Sequence, residues 1–460
     1  MQPVHEERDI SYLLKQDIII MKIMKFGGTS VGRPERMHQV AQLITRDEEP
    51  KIVVLSALSG TTNSLVSIGE ALSRGDKDAA NQVIDKLDQH YQDFIIGLLQ
   101  KEEYRKKAQQ IIAEHFEFLH IILKISFNEA LNKDILAQGE LMSTKMFAVY
   151  LEEQGLTHAL LPALEFMSID FNEEPQIGTI RIRLNQLLEQ YPGVKLFVTQ
   201  GYISRNARGE VDNLKRGGSD YSASLIAAAV NASVCEIWTD IDGMHNNDPR
   251  VVKKTFPIEQ LSFDEAAELA YFGAKILHPA SIWPAQQYKI PVRLLNTMQP
   301  EAKGTLIVEE AGSVGVKAVA AKDGIIIVKI KSSRMLLAYG FLRKIFEVFE
   351  KYKTPIDMIT TSEVAVSLTI DNPASLPQIL KELEPFGDVE VTKDQTIIAI
   401  VGNQIAQTED MLSRLFTALK SVPVRMVSYG GSSHNVSILI PGEYKLQTLQ
   451  LLNMGLFGLE

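Results

Sequence analysis

The run Leu214-Lys215-Arg216-Gly217-Gly218-Ser219-Asp220-Tyr221 sets a guanidinium, paired glycines, a hydroxyl and a carboxylate side by side, then opens into a helix of small residues at 222–229. Paired glycines let a backbone turn tightly and approach a ligand, and the first amides of a helix point outward without intrahelical partners. Such a place attracts an anion. Arg216 can grip a carboxylate or phosphate with its planar fork, while Asp220 can accept hydrogen bonds or orient cationic groups. The same residues also suit an ordinary turn capped by Ser219 or Asp220. A second glycine turn favours the binding reading. The β-branched run 18–23 leads into Lys25-Phe26-Gly27-Gly28-Thr29-Ser30-Val31-Gly32, with Pro34 early in the helix that follows, where its missing amide costs nothing. Strand, glycine turn and helix make a phosphate cradle, yet the lysine precedes the glycines, so neither a P-loop nor a dinucleotide fingerprint is present.

The elements that position these turns alternate. Short apolar strands are expected at 51–56, 159–162, 195–199, 236–239 and 292–296, between helical patterns at 37–45, 65–73, 81–99, 104–123, 141–153, 180–189 and 262–272. Ser262 and Glu265 form a capping box at the start of the last of these. Strands joined by helical crossovers imply an α/β fold with a mostly parallel sheet covered on both faces, and ligands bind beyond the carboxyl ends of such strands. The polar turns fall there: Gly27-Gly28, the segment 57–63, Gln200-Gly201 and Asp240-Ile241-Asp242-Gly243.

Past Gly304 the pattern changes to strand 325–330, helix 341–352, strands 356–360 and 364–370, helix 376–383 and strand 389–392. This is a βαββαβ, ferredoxin-like unit. The order restarts with 396–401, 410–419, 424–428, 436–440 and 444–452, and lacks a sixth strand. Residues 316–321 supply it, so the first unit is inserted in the second.

At 460 residues the chain has length for two to four domains, and a 45% hydrophobic content is ample for buried cores. A net charge of −10 argues against a general binder of nucleic acid or anionic membranes. The lone Cys235 lies in an apolar run, cannot form an internal disulfide and suits a reducing cytoplasm. No apolar stretch approaches the roughly 20 residues of a membrane span. Residues 1–17 are polar, without a signal-peptide core, and are expected to be a flexible extension or an early start.

Lys25-Phe26-Gly27-Gly28-Thr29-Ser30, Val54-Leu55-Ser56-Ala57, Gly139-Glu140-Leu141, Arg216-Gly217-Gly218-Ser219-Asp220, Trp238-Thr239-Asp240, Asp248-Pro249-Arg250 and Phe272-Gly273-Ala274-Lys275-Ile276-Leu277-His278-Pro279 together resemble aspartokinase. That resemblance implies an amino-acid-kinase-fold αβα sandwich at 21–308 and paired ACT domains. The first ACT domain would be 322–394, and the second 316–321 with 395–460. It implies transfer of a phosphoryl group from MgATP to the β-carboxylate of L-aspartate, the entry to lysine, threonine and methionine synthesis. It further implies a homodimer or larger assembly through the ACT domains.

By the same resemblance, Lys25 faces the transferring phosphoryl group, Lys275 faces the nucleotide phosphates, and Asp220 holds the lysines and substrate in register. Arg216 and Glu140 take the α-carboxylate and ammonium of aspartate, with Ser56, Thr62 and Ser219 adding neutral hydrogen bonds. Gly27, Gly28, Thr239, Asp240, His245 and Arg250 match nucleotide-contacting positions. His245 departs from the tyrosine common in relatives, which keeps an aromatic contact and loses the hydroxyl. No protein-held metal site is expected. Met335, Ala338, Gly340, Phe341, Leu342, Asp357, Thr361 and Ser362 resemble the effector site of lysine-inhibited members, with Ala338 a departure and threonine the alternative effector. Plainer readings stand beside these. Glu140 can be a charge at a helix start, Lys275 a solvated helix charge, His278-Pro279 a helix start, and Asp357 the end of a strand at a solvated edge. A catalytically idle amino-acid sensor and a kinase of glutamate or acetylglutamate are the rival functions. The length after the ACT pair leaves no room for a homoserine dehydrogenase domain.

Overall fold

The computed structural model describes residues 20–459, apart from 215–216, 274–276, 313 and 336–338. Most of the expected N-terminal extension therefore lies outside the described residues. The chain divides into two compact units, one ending at Trp238 and the other beginning at Thr239.

In the first unit, β1 (Lys22–Phe26), β2 (Lys51–Leu55), β3 (Ala159–Leu161), β4 (Leu196–Gln200) and β7 (Val234–Thr239) lie in the order β3–β4–β2–β1–β7, every pair parallel. β2 is buried along its whole length, as a parallel strand covered on both faces must be. The crossovers are α1 (Gly28–Val31), α2 (Pro34–Ile44), α3 (Thr61–Ser73), α4 (Lys77–Leu98), α5 (Glu102–Ile122), α6 (Glu129–Glu153), α7 (Ala163–Phe166), α8 (Ile177–Leu188) and α9 (Gly218–Val230). α2 starts on Pro34, in keeping with its preset φ.

Two features depart from the sequence expectation. First, α6 begins at Glu129, where the Asn128 side chain accepts from Leu131 N at 2.9 Å, well before residue 141. It buries side chains nearly all round, so no single apolar stripe marks it. Second, an antiparallel hairpin, β5 (Ile203–Arg205) with β6 (Val211–Asn213), precedes the glycine turn at Gly217.

In the second unit, β8 (Gln260–Ser262), α10 (Phe263–Tyr271), α11 (Trp283–Gln287), β9 (Val292–Asn296) and β10 (Thr305–Val308) come first. β10 pairs parallel with β8 and antiparallel with β9. The capping box forms as expected: Glu265 N donates to Ser262 Oγ at 3.1 Å, and Ser262 N to Glu265 Oε2 at 2.7 Å.

A six-stranded antiparallel sheet follows. Its strands are β11 (Gly315–Lys331), β12 (Ile359–Thr361), β13 (Ala365–Ile370), β14 (Asp388–Asn403), β15 (Met426–Ser428) and β16 (Asn435–Pro441), in the order β12–β13–β11–β14–β16–β15. The helices are α12 (Phe341–Lys351), α13 (Leu376–Leu383), α14 (Met411–Ala418) and α15 (Lys445–Phe457). The strands expected at 316–321 and 325–330 are one strand, as are those at 389–392 and 396–401. Polar Lys322-Asp323-Gly324 and Lys393-Asp394 read as turns, but the backbone stays in the ladder and absorbs them as a register shift, with Asp394 at φ 57°. The early half of β11 pairs with the late half of β14, and the late half of β11 with the early half of β14, so one ferredoxin-like unit is inserted in the other. Each has its own core: Val328, Ile345, Phe349 and Ile379 in the first, and Ile400, Leu415, Ile438 and Leu452 in the second.

Candidate active site

β1 ends in Lys25 and Phe26, flanked by β2 on one side and β7 on the other. Lys25 is 9% exposed, and its Nζ lies 2.6 Å from Asp220 Oδ1 in the first turn of α9. Gly217, the N-cap of that helix, takes a left-handed φ of 65°, which a side chain would disfavour. Ser56, just past β2, donates through Oγ to Ser219 Oγ at 2.9 Å. The two glycine turns read from sequence therefore meet at the carboxyl ends of neighbouring parallel strands. They present a buried ammonium, a carboxylate and two hydroxyls to one place.

Glu140 is the third part. It sits in the middle of α6, 4% exposed, and is not at a helix start, so the dipole reading fails. Gly139 lets α6 press on the turn after β2, since a Cβ there would meet Ala57 Cβ at 2.8 Å. Ser143 Oγ anchors the same contact by donating to Ser56 O at 2.8 Å. Among the described residues, Glu140 Oε1 accepts from Ala57 N at 3.3 Å, and Oε2 is buried without a hydrogen-bond partner. Burial pushes the Glu140 pKa up to about 8, against the pull of the Ala57 amide. A buried acid with an unmet acceptor suits an incoming cation. Thr62 stands in the first turn of α3, exposed.

Of the residues expected at the nucleotide, Gly27 donates through its amide to Trp238 O at 3.4 Å and caps α1 with Gly28 at its start. In the second unit, Thr239 Oγ1 donates to Asp240 Oδ1 at 3.2 Å. The His245 ring has both nitrogens engaged, Nε2 with Asp242 Oδ1 at 2.7 Å and Nδ1 with Thr255 Oγ1 at 2.8 Å, which leaves its face for an aromatic contact. Arg250 is exposed and held by Asp248 through Nε at 2.9 Å and a second guanidinium nitrogen at 2.8 Å. His278 caps a short turn, accepting from Ala280 N at 3.2 Å, so it is the helix start that the sequence suggested. Arg216, Lys275 and Ala338 lie outside the described residues. Among the expected effector residues, Gly340 caps α12 at φ 76°, Phe341 and Leu342 open that helix half-buried, Met335 is half-buried, and Thr361 and Ser362 are exposed. Asp357 is not at a solvated edge; its side chain is 1% exposed.

Sequence reasoning missed three participants. Tyr202, at a left-handed φ of 65°, accepts from Leu214 N through its carbonyl and donates its amide to Ser222 Oγ at 2.7 Å, bracing the glycine turn. Asp212 on β6 pairs with Lys133 on α6 at 2.8 Å. Tyr91 is fully buried and meets Thr61 Oγ1 at 3.2 Å beside Glu140. Tyr202 follows Gly201 in one of the polar turns, while Asp212 and Tyr91 lie in none. For Asp212 the available signal was a charge directly after Val211 in the run that leads to the glycine turn.

A parallel sheet with glycine turns and a buried lysine–aspartate pair at its carboxyl edge defines a phosphoryl-transfer site of the amino acid kinase kind. The amino acid kinase family model matches residues 21–296, and the ACT domain model residues 398–455. Lysine-sensitive aspartokinase 3 of Escherichia coli is 34% identical over 95% of this chain and 99% of its own, and the chloroplastic aspartokinase 3 of Arabidopsis thaliana is 35% identical over 95% and 81%. Among solved structures, E. coli aspartokinase III with aspartate and ADP superposes at a TM-score of 0.80, with 33% identity over 95% of this chain and 100% of that one. Its complex with lysine and aspartate gives 0.78, with 32% identity over 95% and 99%. The chain belongs to the aspartokinases.

Proposed function

We propose that this chain transfers the γ-phosphoryl group of ATP to the β-carboxylate of L-aspartate, giving 4-phospho-L-aspartate and ADP, the first step toward lysine, threonine and methionine. A carboxylate oxygen forms the new bond to phosphorus as the bond from phosphorus to the ADP oxygen breaks. No general base takes part, because the carboxylate is already ionised at neutral pH. The protein's task is positioning and cancellation of charge. Lys25 meets the phosphoryl oxygens, and Asp220 fixes the Lys25 ammonium at 2.6 Å. Arg216 takes the α-carboxylate, Glu140 the ammonium, and Ser56, Thr62 and Ser219 the remaining polar edges. Gly27, Gly28, Thr239, Asp240, His245, Arg250 and Lys275 hold the nucleotide. Mg2+ travels on the nucleotide phosphates, the usual setting for this ion. Among the described residues, no helix is long and apolar enough to cross a membrane. We place the reaction in the cytoplasm and assign lysine as the regulatory ligand of the ACT domains, a reading supported by the relative whose structure holds lysine and aspartate.

The observation that carries the choice of substrate is the buried Glu140 Oε2, which has no hydrogen-bond partner among the described residues. An α-ammonium group satisfies it, and an N-acylated amine cannot. Measured without lysine or threonine, ADP release should therefore follow addition of aspartate and not of acetylglutamate, with glutamate tested beside them as a second substrate carrying a free amine. Turnover with acetylglutamate equal to that with aspartate would reject the assignment.

A further inference from the structure

The loop 245–257, which bears His245 and Arg250, is bonded to the last helix of the second ferredoxin-like unit through three buried amides. Asn246, Asn247 and Asn453 of α15 are 0%, 2% and 1% exposed. Asn453 Oδ1 accepts from Asn246 Nδ2 at 3.3 Å and from Asn247 Nδ2 at 3.4 Å. Its Nδ2 donates to Lys254 O at 3.1 Å and to Leu459 O at 3.2 Å. An asparagine amide has two donor hydrogens and two acceptor lone pairs, and Asn453 has engaged all of them, mostly on the loop. Asn247 Nδ2 also donates to Leu449 O at 3.0 Å, one turn earlier on the same helix. Packing alone would be met by a leucine at 453, since Leu449, Leu452 and Leu456 around it belong to an apolar core; the amide adds direction.

From Asn453 the bonds run on toward the two side chains expected at the nucleotide. Asp248 N donates to Asn247 Oδ1 at 2.9 Å, and Asp248 Oδ1 in turn accepts from Arg250 N and Nε, each at 2.9 Å. His245 precedes Asn246, and its Nδ1 meets the hydroxyl of Thr255, the residue after Lys254. Asn246 closes the base of the loop: Phe256 N donates to its Oδ1 at 2.8 Å, and its carbonyl accepts from Val319 N of β11 at 2.8 Å. The Phe256 and Phe457 rings meet edge to face with centroids 6.0 Å apart, and Val252 is buried in the core of the second ferredoxin-like unit.

We infer that Asn453 is a positioning residue for the nucleotide: it fixes the loop 245–257 in the arrangement in which His245 and Arg250 meet ATP, and it makes the C-terminal helix a structural part of the nucleotide site. This rests on the reading above that those two residues hold the nucleotide. Bonds near both ends of the loop, at 246–247 and at 254, hold it in one geometry before ligand arrives; without them the cost of ordering it falls on binding. The residues assigned to aspartate belong to the first unit and lie outside this network. Losing Asn453 should therefore weaken the nucleotide and spare aspartate.

Steady-state kinetics of the full chain, with calorimetric titration of MgADP, test this on two variants. Asn453→Leu keeps the apolar packing and loses the amide's bonds; Asn247→Ser keeps an acceptor for Asp248 N and loses the donors to α15. Circular dichroism verifies that each is folded. Each should raise the ATP KM and weaken MgADP binding about tenfold, with the aspartate KM within about twofold of the wild type. A folded Asn453→Leu chain with wild-type MgADP affinity, or one in which both KM values rise together, overturns the inference. If Asn453→Leu does not fold, Asn247→Ser decides by the same criteria. Arg250→Met, measured beside them, tests the reading beneath. An unchanged ATP KM there, with a raised one in Asn453→Leu, removes Arg250 from the nucleotide and supports the positioning role; the reverse pattern keeps Arg250 and rejects Asn453.

Discussion

Below about pH 8 the Glu140 carboxyl of the free protein keeps its proton, so an ammonium ion binds only as that proton leaves. The aspartate KM should fall as pH rises, by about tenfold per unit at the steepest, and level off above pH 8. Initial rates at saturating ATP check this. The sign for stability is opposite. The folded pKa stands above the ordinary 4.5, so the contribution of Glu140 to stability is present below pH 4.5 and is lost as pH rises toward about 8. Glu140→Gln should therefore raise the aspartate KM much more than the ATP KM while making the protein ~1–3 kcal/mol more stable at pH 8, measured by denaturant unfolding. A less stable variant would mean that Glu140 has a cationic partner in the free protein. Lys25→Ala removes the charge paired with Asp220; turnover should drop ~100- to 1,000-fold with the fold intact. Near-normal turnover would remove Lys25 from the chemistry.

At the scale of elements, α6 and the β5–β6 hairpin carry the two proposed grips on aspartate. α6 bears Glu140, and the hairpin ends at Asn213, three residues before Arg216 in the sequence. Lys133 and Asp212 join them at 2.8 Å, with the Asp212 side chain 5% exposed. The pair ties the helix that bears Glu140 to the hairpin. Lys133→Met leaves Asp212 buried without its cation, which should cost ~1–3 kcal/mol in thermal unfolding. It should also raise the aspartate KM roughly tenfold with the ATP KM unchanged. Adding Asp212→Asn should restore much of the stability and not the KM. A purely structural pair would return both together.

For the whole molecule, the antiparallel sheet ends in the short edge strands β12 and β15, and Ile359 on β12 is 39% exposed. The two edge strands approach each other within the chain, but the exposed Ile359 side chain stays available as an apolar contact for a second copy. Light scattering should give about twice the chain mass of 51.3 kDa. Ile359→Lys, which puts a charge on the edge, should shift the particle toward a single chain; an unchanged mass would place the association elsewhere.

Local chemistry made much of this legible in advance. Glycines after apolar runs marked where strands stop and ligands can approach, Ser262 with Glu265 marked a helix start, and the repeated βαββαβ order revealed the inserted unit. These signals are local, so the sequence by itself determined the element types, the paired glycine turns and the motif set. What it left open was every property created by burial and by residues distant in the chain. A helix buried all round shows no stripe, so α6 was cut short and Glu140 was placed at its start. Polar residues inside a bulged strand look like a turn, so β11 and β14 were each read as two. The Lys133–Asp212 and Lys322–Asp357 pairs join residues 79 and 35 positions apart. Only the tertiary structure decided those partners, because an ion pair depends on distance in space and on the water excluded around it, and neither is written in a local run of residues.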